Sequence, residues 1–102
     1  MILEVAMLDV RAGQETQFEA AFREASVIIA SMPGYRSHEL QRCIERPGRY
    51  ALLVRWDTLE DHMVGFRQSA AYQQWKALLH HFYDPFPVVE HFTAVPLCAK
   101  SD

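Results

Sequence analysis

Residues 2–10, ILEVAMLDV, read as a β-strand that is apolar on both sides, with Ile2, Ala6, Leu8 and Val10 in one alternating set and Leu3, Val5 and Met7 in the other. Strand side chains point alternately to the two faces of a sheet, so a strand of this kind is covered on both faces. The chain has 102 residues, the size of one domain. Whatever elements follow must cover one face of this strand, and something else must cover the second.

After Ala12-Gly13 the apolar period changes, and Phe18, Phe22, Ala25, Ile29 and Met32 fall at helical spacing from about Gln14 onward. Pro33-Gly34 ends that helix, since proline cannot continue it and glycine accepts a left-handed cap. Residues 35–45 and 50–56 read as two strands joined by Arg46-Pro47-Gly48-Arg49, which carries proline and glycine at the centre of a type II turn. Asp57-Thr58-Leu59-Glu60 reads as a helix start with Asp57 as cap, and the helix carries Leu59, Met63 and Phe66 as its stripe with His62 beside it. Ser69 caps a further helix with Tyr72, Trp75, Leu79 and Phe82 on one face, and residues 88–95 make the last strand. The order β-α-β-β-α-α-β predicts an α+β, ferredoxin-like domain, an antiparallel sheet with helices on one face, over residues 1–96. The first strand then needs a cover on its other face, and the simplest is the sheet of a second copy. Residues 97–102 read as a short tail or as an arm around that copy.

Composition narrows the function classes. The net charge is −3 and the basic residues are scattered from Arg11 to Lys100, which gives no footprint for nucleic acid. No apolar run approaches the ~18 residues of a membrane span and the start has no basic n-region. Cys43 and Cys98 form no CxxC or metal-finger spacing, so the expectation is a cytoplasmic protein with reduced thiols and no metal. Glycine-rich phosphate loops, GxSxG and HExxH are absent.

The stretch from Trp56 to His91 holds both tryptophans and four of the five histidines. His62 is placed to act as general base or to orient a phenolic substrate; the plainer reading is a bond to Glu60 or a backbone carbonyl that steadies the helix. His80 and His81 are adjacent and point ~100° apart on a helix, which favours capping or exposure over chelation. His91 shares a strand face with Val89 and Thr93 and becomes a polar anchor if that face is the pocket side. Tyr72 and Trp75 serve equally as core or as pocket wall. Arg55 and Arg67 read as exposed, capping or inter-subunit groups, and Cys43 lacks a histidine partner.

The element order, Met32-Pro33-Gly34-Tyr35 and the run Trp56-Asp57-Thr58-Leu59-Glu60-Asp61-His62 resemble the antibiotic biosynthesis monooxygenase family of dimeric α+β barrel proteins, over nearly the whole chain. Gly65-Phe66-Arg67-Gln68-Ser69 and Pro87-Val88-Val89-Glu90-His91-Phe92 resemble one of its subgroups. The resemblance implies a homodimer through the sheet and a cofactor-independent monooxygenase, in which the anion of a small hydroxylated aromatic or quinol-like metabolite itself reduces dioxygen. The residues themselves suggest a pocket between the sheet and helices two and three, with His62 as base and Trp56, Phe66, Tyr72, Trp75, Phe82 and His91 around the substrate. A non-catalytic binder of a small aromatic metabolite is the alternative. Haem binding or degradation is a third reading, but the haem-degrading branch uses Asn, Trp and His where this chain has Met7, Phe66 and Lys76.

Overall fold

The computed structural model describes residues 1–97. Its elements are β1 (Ile2–Asp9), α1 (Glu15–Ala30), β2 (Tyr35–Arg42), β3 (Arg49–Trp56), a π-helical segment (Asp61–Phe66), α2 (Ala70–Leu79), a 3₁₀ turn (His80–Phe82) and β4 (Val89–Phe92). The four strands form one antiparallel sheet in the order β2-β3-β1-β4, the ferredoxin-like arrangement that the element order predicts. Of the tail at 97–102, residues 98–102 lie outside the described part.

Helix α1 buries Phe18, Phe22, Ala25 and Ile29, four of the five residues of the predicted stripe. They pack on the even-numbered side of β1 and β3, where Ala6, Leu8, Leu52, Val54 and Trp56 are buried. The helices cover this side alone. On the other side Leu3, Val5 and Met7 pair with Arg55, Leu53 and Ala51, and Met7 and Phe92 are exposed.

Three details differ from the sequence pattern. Strand β4 is shorter than residues 88–95 because it pairs only with Leu3–Ala6 of β1; Val88 and Val95, beyond that ladder, are exposed. The helix cap after β3 sits one residue later than predicted. Asp57 is taken by Arg36, and Thr58 and Asp61 exchange reciprocal cap bonds instead: Asp61 N–H donates to Thr58 Oγ1 (3.1 Å) and Thr58 N–H donates to Asp61 Oδ2 (3.2 Å). That box lies against Gly34, whose φ of +82° and lack of a Cβ both matter, since a Cβ there would fall 2.2 Å from the Asp61 carboxyl.

The third difference changes the site. The segment 61–66 bonds i to i+5, with Arg67 N–H donating to His62 O at 3.0 Å. In this wider turn Met63 is exposed, as is Leu59 ahead of it, whereas His62 and Phe66 are buried. His62 therefore lies at the centre of the inward face, not beside it.

Candidate functional site

Glu4 belongs to the core-facing set of β1 and is only 5% exposed. Its Cα partners across the sheet are Val54 on β3 and His91 on β4, so the strand register alone brings an acid and a histidine side by side. Trp56, fully buried at the end of β3, donates from Nε1 to Glu4 Oε1 at 2.9 Å. The π-helical turn lowers His62 onto this pair. Its ring stacks on Trp56 (centroids 5.4 Å, planes 21° apart) and is 3% exposed.

Both nitrogens of His62 have partners. Nδ1 and His91 Nε2 share a hydrogen bond of 2.8 Å, and Nε2 lies 3.4 Å from Glu4 Oε1, just longer than a good hydrogen bond. His91 is half-buried, at the outer end of the row. Glu4, His62 and His91 thus run from the core to the surface through alternating donors and acceptors.

Burial decides the charges along this row. It pushes the Glu4 carboxyl up to about 7, against the opposing pull of the Trp56 hydrogen bond and the Arg67 charge. It pushes His62 down to about 3, with His91 and Arg67 adding to the effect. His91 is lowered as well, by burial and then Arg67. A neutral His62 makes the 3.4 Å approach to Glu4 a polar contact, not a salt bridge, near neutral pH. Because a neutral imidazole carries one N–H and one lone pair, the row has two matching states. In one, Glu4 is protonated and His62 Nδ1–H donates to His91. In the other, His62 has received that proton at Nε2, its Nδ1 proton has moved to His91 Nε2, and His91 has released a proton from Nδ1 to solvent. The row can therefore carry a proton out of the core.

Beside Glu4 and His62 lies a cavity of about 40 Å³ whose walls include Phe66, Arg67, Tyr72, Trp75, His80 and Tyr83. The Ser69 cap sets this wall: Ser69 Oγ donates to Phe66 O at 2.7 Å and accepts from Tyr72 N–H at 3.1 Å, joining the π-helical turn to α2. Phe66 consequently meets Tyr72 and Trp75 edge-on at 5.2 and 5.6 Å. Only Oε1 of Glu4 is engaged by Trp56 and His62, so Oε2 is the oxygen left for the cavity. Among the described residues no group of three His, Cys, Asp or Glu is placed to hold a metal ion.

Of the residues singled out from sequence, His62, Phe66, Tyr72 and Trp75 line the cavity. Trp56 lies behind His62, and His91 lies at its outer side. Phe82 is elsewhere, packed edge-on against Phe18 of α1 at 5.7 Å. The His80 side chain lines the cavity where the sequence suggested capping or exposure, and only its backbone N–H caps α2, donating to Lys76 O. Glu4, Arg67, Tyr83 and Phe86 are among the cavity residues that sequence reasoning missed. For Glu4 a signal existed, an acid in the even-numbered set of a strand whose other even positions are all apolar.

A wider groove of about 440 Å³ lies across α1 and β2, lined by Glu19, Ser26, His38 and Arg42 among others. Its polar groups satisfy one another. Arg42 donates twice to Glu19 (2.9 and 2.8 Å), and Ser26 donates to Phe22 O at 2.9 Å while accepting from His38 Nε2 at 3.0 Å. With its proton committed to the helix backbone, Ser26 is a structural hydroxyl.

The sequence profile of a family described as antibiotic biosynthesis monooxygenase matches residues 1–78. The uncharacterized protein YczJ of Bacillus subtilis (strain 168) is 57% identical over 95 residues, which are 93% of this chain and 100% of that protein. A solved structure from Bordetella bronchiseptica, described as a candidate antibiotic biosynthesis monooxygenase, superposes with a TM-score of 0.89 at 39% identity and covers 93% of this chain and 97% of its own. SnoaB from Streptomyces nogalater, described as a cofactor-independent oxygenase, has a TM-score of 0.75 at 19% identity over 97% of each chain; at that identity the likeness is one of fold.

Proposed function

This chain belongs to the antibiotic biosynthesis monooxygenase family, and from that premise we propose that it is a monooxygenase acting on a small hydroxylated aromatic or quinol-like metabolite. The observation that carries the reading is the buried acid Glu4, which borders a cavity on one side and an imidazole row leading to the surface on the other. Glu4 takes the proton of the substrate hydroxyl at Oε2, and His62 and His91 relay a proton to solvent. His62 is then the centre of the base and not its ligand-facing end.

The substrate anion supplies the electrons. It reduces dioxygen, a carbon–oxygen bond forms at the ring carbon ortho or para to the oxyanion, and the O–O bond breaks. One oxygen atom stays on the ring as a carbonyl and the other leaves as water with the two hydrogens that the substrate has lost. The chain's own residues supply desolvation, positioning and the path for the proton. Oxygen uptake with a panel of single-ring quinols and polyhydroxybenzenes tests the reading. Consumption of one dioxygen, with one of its oxygen atoms in the product quinone and no hydrogen peroxide released, is expected; binding without consumption would make the protein a carrier of such molecules instead.

The reading includes a homodimer through the outer face of the sheet. Its support is the apolar row Leu3, Val5, Leu53 and Phe92 on a face that no helix of the described residues covers, together with the strand that is apolar on both sides. Native mass spectrometry at micromolar concentration is expected to give twice the chain mass, and Leu53→Glu to reduce it to one. A wild-type monomer under those conditions would remove the dimer.

A further inference from the structure

We propose that Arg67, His80 and Tyr72 form a seat for one anionic oxygen of a single-ring ligand, an acidic hydroxyl or a carboxylate, whose ring rests outside the cavity against Phe86. The inference deepens the reading above by naming the charge and size of the ligand, and rests on it for the choice of cavity.

Arg67 is half-buried and lines the cavity, yet its guanidinium has no ion-pair or hydrogen-bond partner among the described residues. Arg11, Arg36, Arg42 and Arg49 each hold a carboxylate. Glu4 lines the same cavity and feels the Arg67 charge, but the two form no pair. A half-buried guanidinium whose five donors meet no acceptor of the described residues suits an oxyanion.

His80 supplies the second observation. Its Nδ1 is fully buried without a hydrogen-bond partner, although buried polar atoms nearly always have one. The ring is held among Tyr72 (5.8 Å), Tyr83 (5.7 Å) and Phe86 (4.9 Å), so it cannot easily turn away. The hydroxyls of Tyr72 and Tyr83, which also line the cavity, have no partner among the described residues. Four hydrogen-bonding side chains from three segments, Arg67, Tyr72, His80 and Tyr83, therefore line one small space.

The charges around this space favour an anion. His62 on the π-helical turn, His80 after α2 and His91 on β4 are all lowered, chiefly by burial, and are neutral at pH 7. Lys76 on α2 adds positive potential at His80. Tyr83 is held protonated by burial and by the nearby Tyr72 and Glu4. Among the described residues the one acid lining the space is Glu4 on β1, itself pushed up to about 7.

Size sets the rest. A space of about 40 Å³ takes roughly two or three waters at ~15 Å³ each. That is enough for the oxygen end of a ligand and too little for a fused ring system. Phe86 and Pro87 border the cavity, and Phe86 is 64% exposed, a flat surface for one ring at the mouth.

Titration of 4-nitrophenol, whose anion alone is yellow, tests the seat without any turnover. Bound to the wild-type protein, the probe is expected to ionise about one pH unit lower than free probe, equivalent to about tenfold tighter binding of the anion than of the phenol. Arg67→Gln should abolish that shift and Arg67→Lys keep part of it, with circular dichroism melts showing both variants folded; Tyr72→Phe is expected to halve it in a fold left intact. An unshifted or raised ionisation, no binding of the probe, or an Arg67→Gln variant that behaves as wild type would each overturn the proposal. Benzoate separates the two sources of the oxyanion: displacement of the probe assigns the seat to carboxylates also, and failure to displace restricts it to acidic hydroxyls. Binding with no oxygen uptake on any quinol would leave the seat standing and remove the monooxygenase.

Discussion

Glu4→Gln is expected to lower oxygen consumption by about 10²- to 10⁴-fold, the usual contribution of a positioned general base, and to make the protein more stable at pH 8. The two effects share one cause. The carboxyl is 5% exposed, and burial lifts it from 4.5 to about 7. A raised carboxyl means that the folded state holds the proton more tightly than the unfolded chain. Between pH 4.5 and 7 the folded protein thus binds more protons, and stability falls as pH rises through that window and stays lower above it. The loss amounts to about 3 kcal/mol. Glutamine keeps the shape and still accepts the Trp56 N–H, but it never ionises, so it escapes the loss. Urea denaturation is expected to find wild type and variant within about 1 kcal/mol of each other at pH 5 and the variant ahead by up to about 3 kcal/mol at pH 8. Full activity in the variant would move the base elsewhere. A stability difference that does not grow with pH would show that Glu4 ionises as freely in the fold as outside it.

That combination, a residue that weakens the fold in order to supply a tuned proton acceptor, is also why the site was only partly legible in the sequence. The fold is written in periods: steps of three and four in α1, alternation in β1 and β3, and Pro-Gly pairs at Pro33-Gly34 and Pro47-Gly48. Gly34 and Gly48 take φ of +82° and +84°, as such turns require. A period identifies which residues face inward and hides whatever breaks it. Glu4 breaks the apolar set of β1, and only the cross-strand register shows that His91 stands opposite to it. Arg67 was obscured in another way. Helical spacing assumes i to i+4 bonds, and the π-helical turn at 61–66 shifts every side chain after it. Nothing in DHMVGF marks that turn except Gly65, which adds no side chain to oppose it. Tyr72 and Trp75 needed no such information, because an ordinary helix with a Ser69 cap carries them. Phe82 follows that helix in a 3₁₀ turn, where the spacing tightens, and so it lands on Phe18 instead of beside Trp75.

The opposite limb of the pH profile belongs to His62. Its imidazole is depressed from 6.5 to about 3, first by burial and then by His91 and Arg67, and His80 is depressed to about 4. The groups facing His62 are Glu4 on β1, Trp56 on β3, His91 on β4, and Phe66 and Arg67 at the end of its own turn. A depressed histidine means that the unfolded chain takes up the proton first. Stability from this source is complete above pH 6.5 and is lost as pH falls toward 3. The loss for His62 is on the order of 4 kcal/mol, comparable with the whole stability of a small domain, roughly 5–15 kcal/mol. Glu4 runs the other way between pH 4.5 and 7, but two histidines outweigh one carboxyl below pH 6.5, so these groups together place the maximum near pH 6.5. Acid is then expected to unfold the wild type near pH 4, with proton uptake at His62 and His80. His62→Phe keeps a flat ring against Trp56 and has nothing to protonate. It is expected to unfold at least half a pH unit lower in a circular dichroism titration, and to lose turnover because the row from Glu4 to His91 is cut. Acid sensitivity equal to wild type would show that His62 is already charged in the fold and paired with Glu4, which would make the pair an ion pair and deprive Glu4 of its role as base.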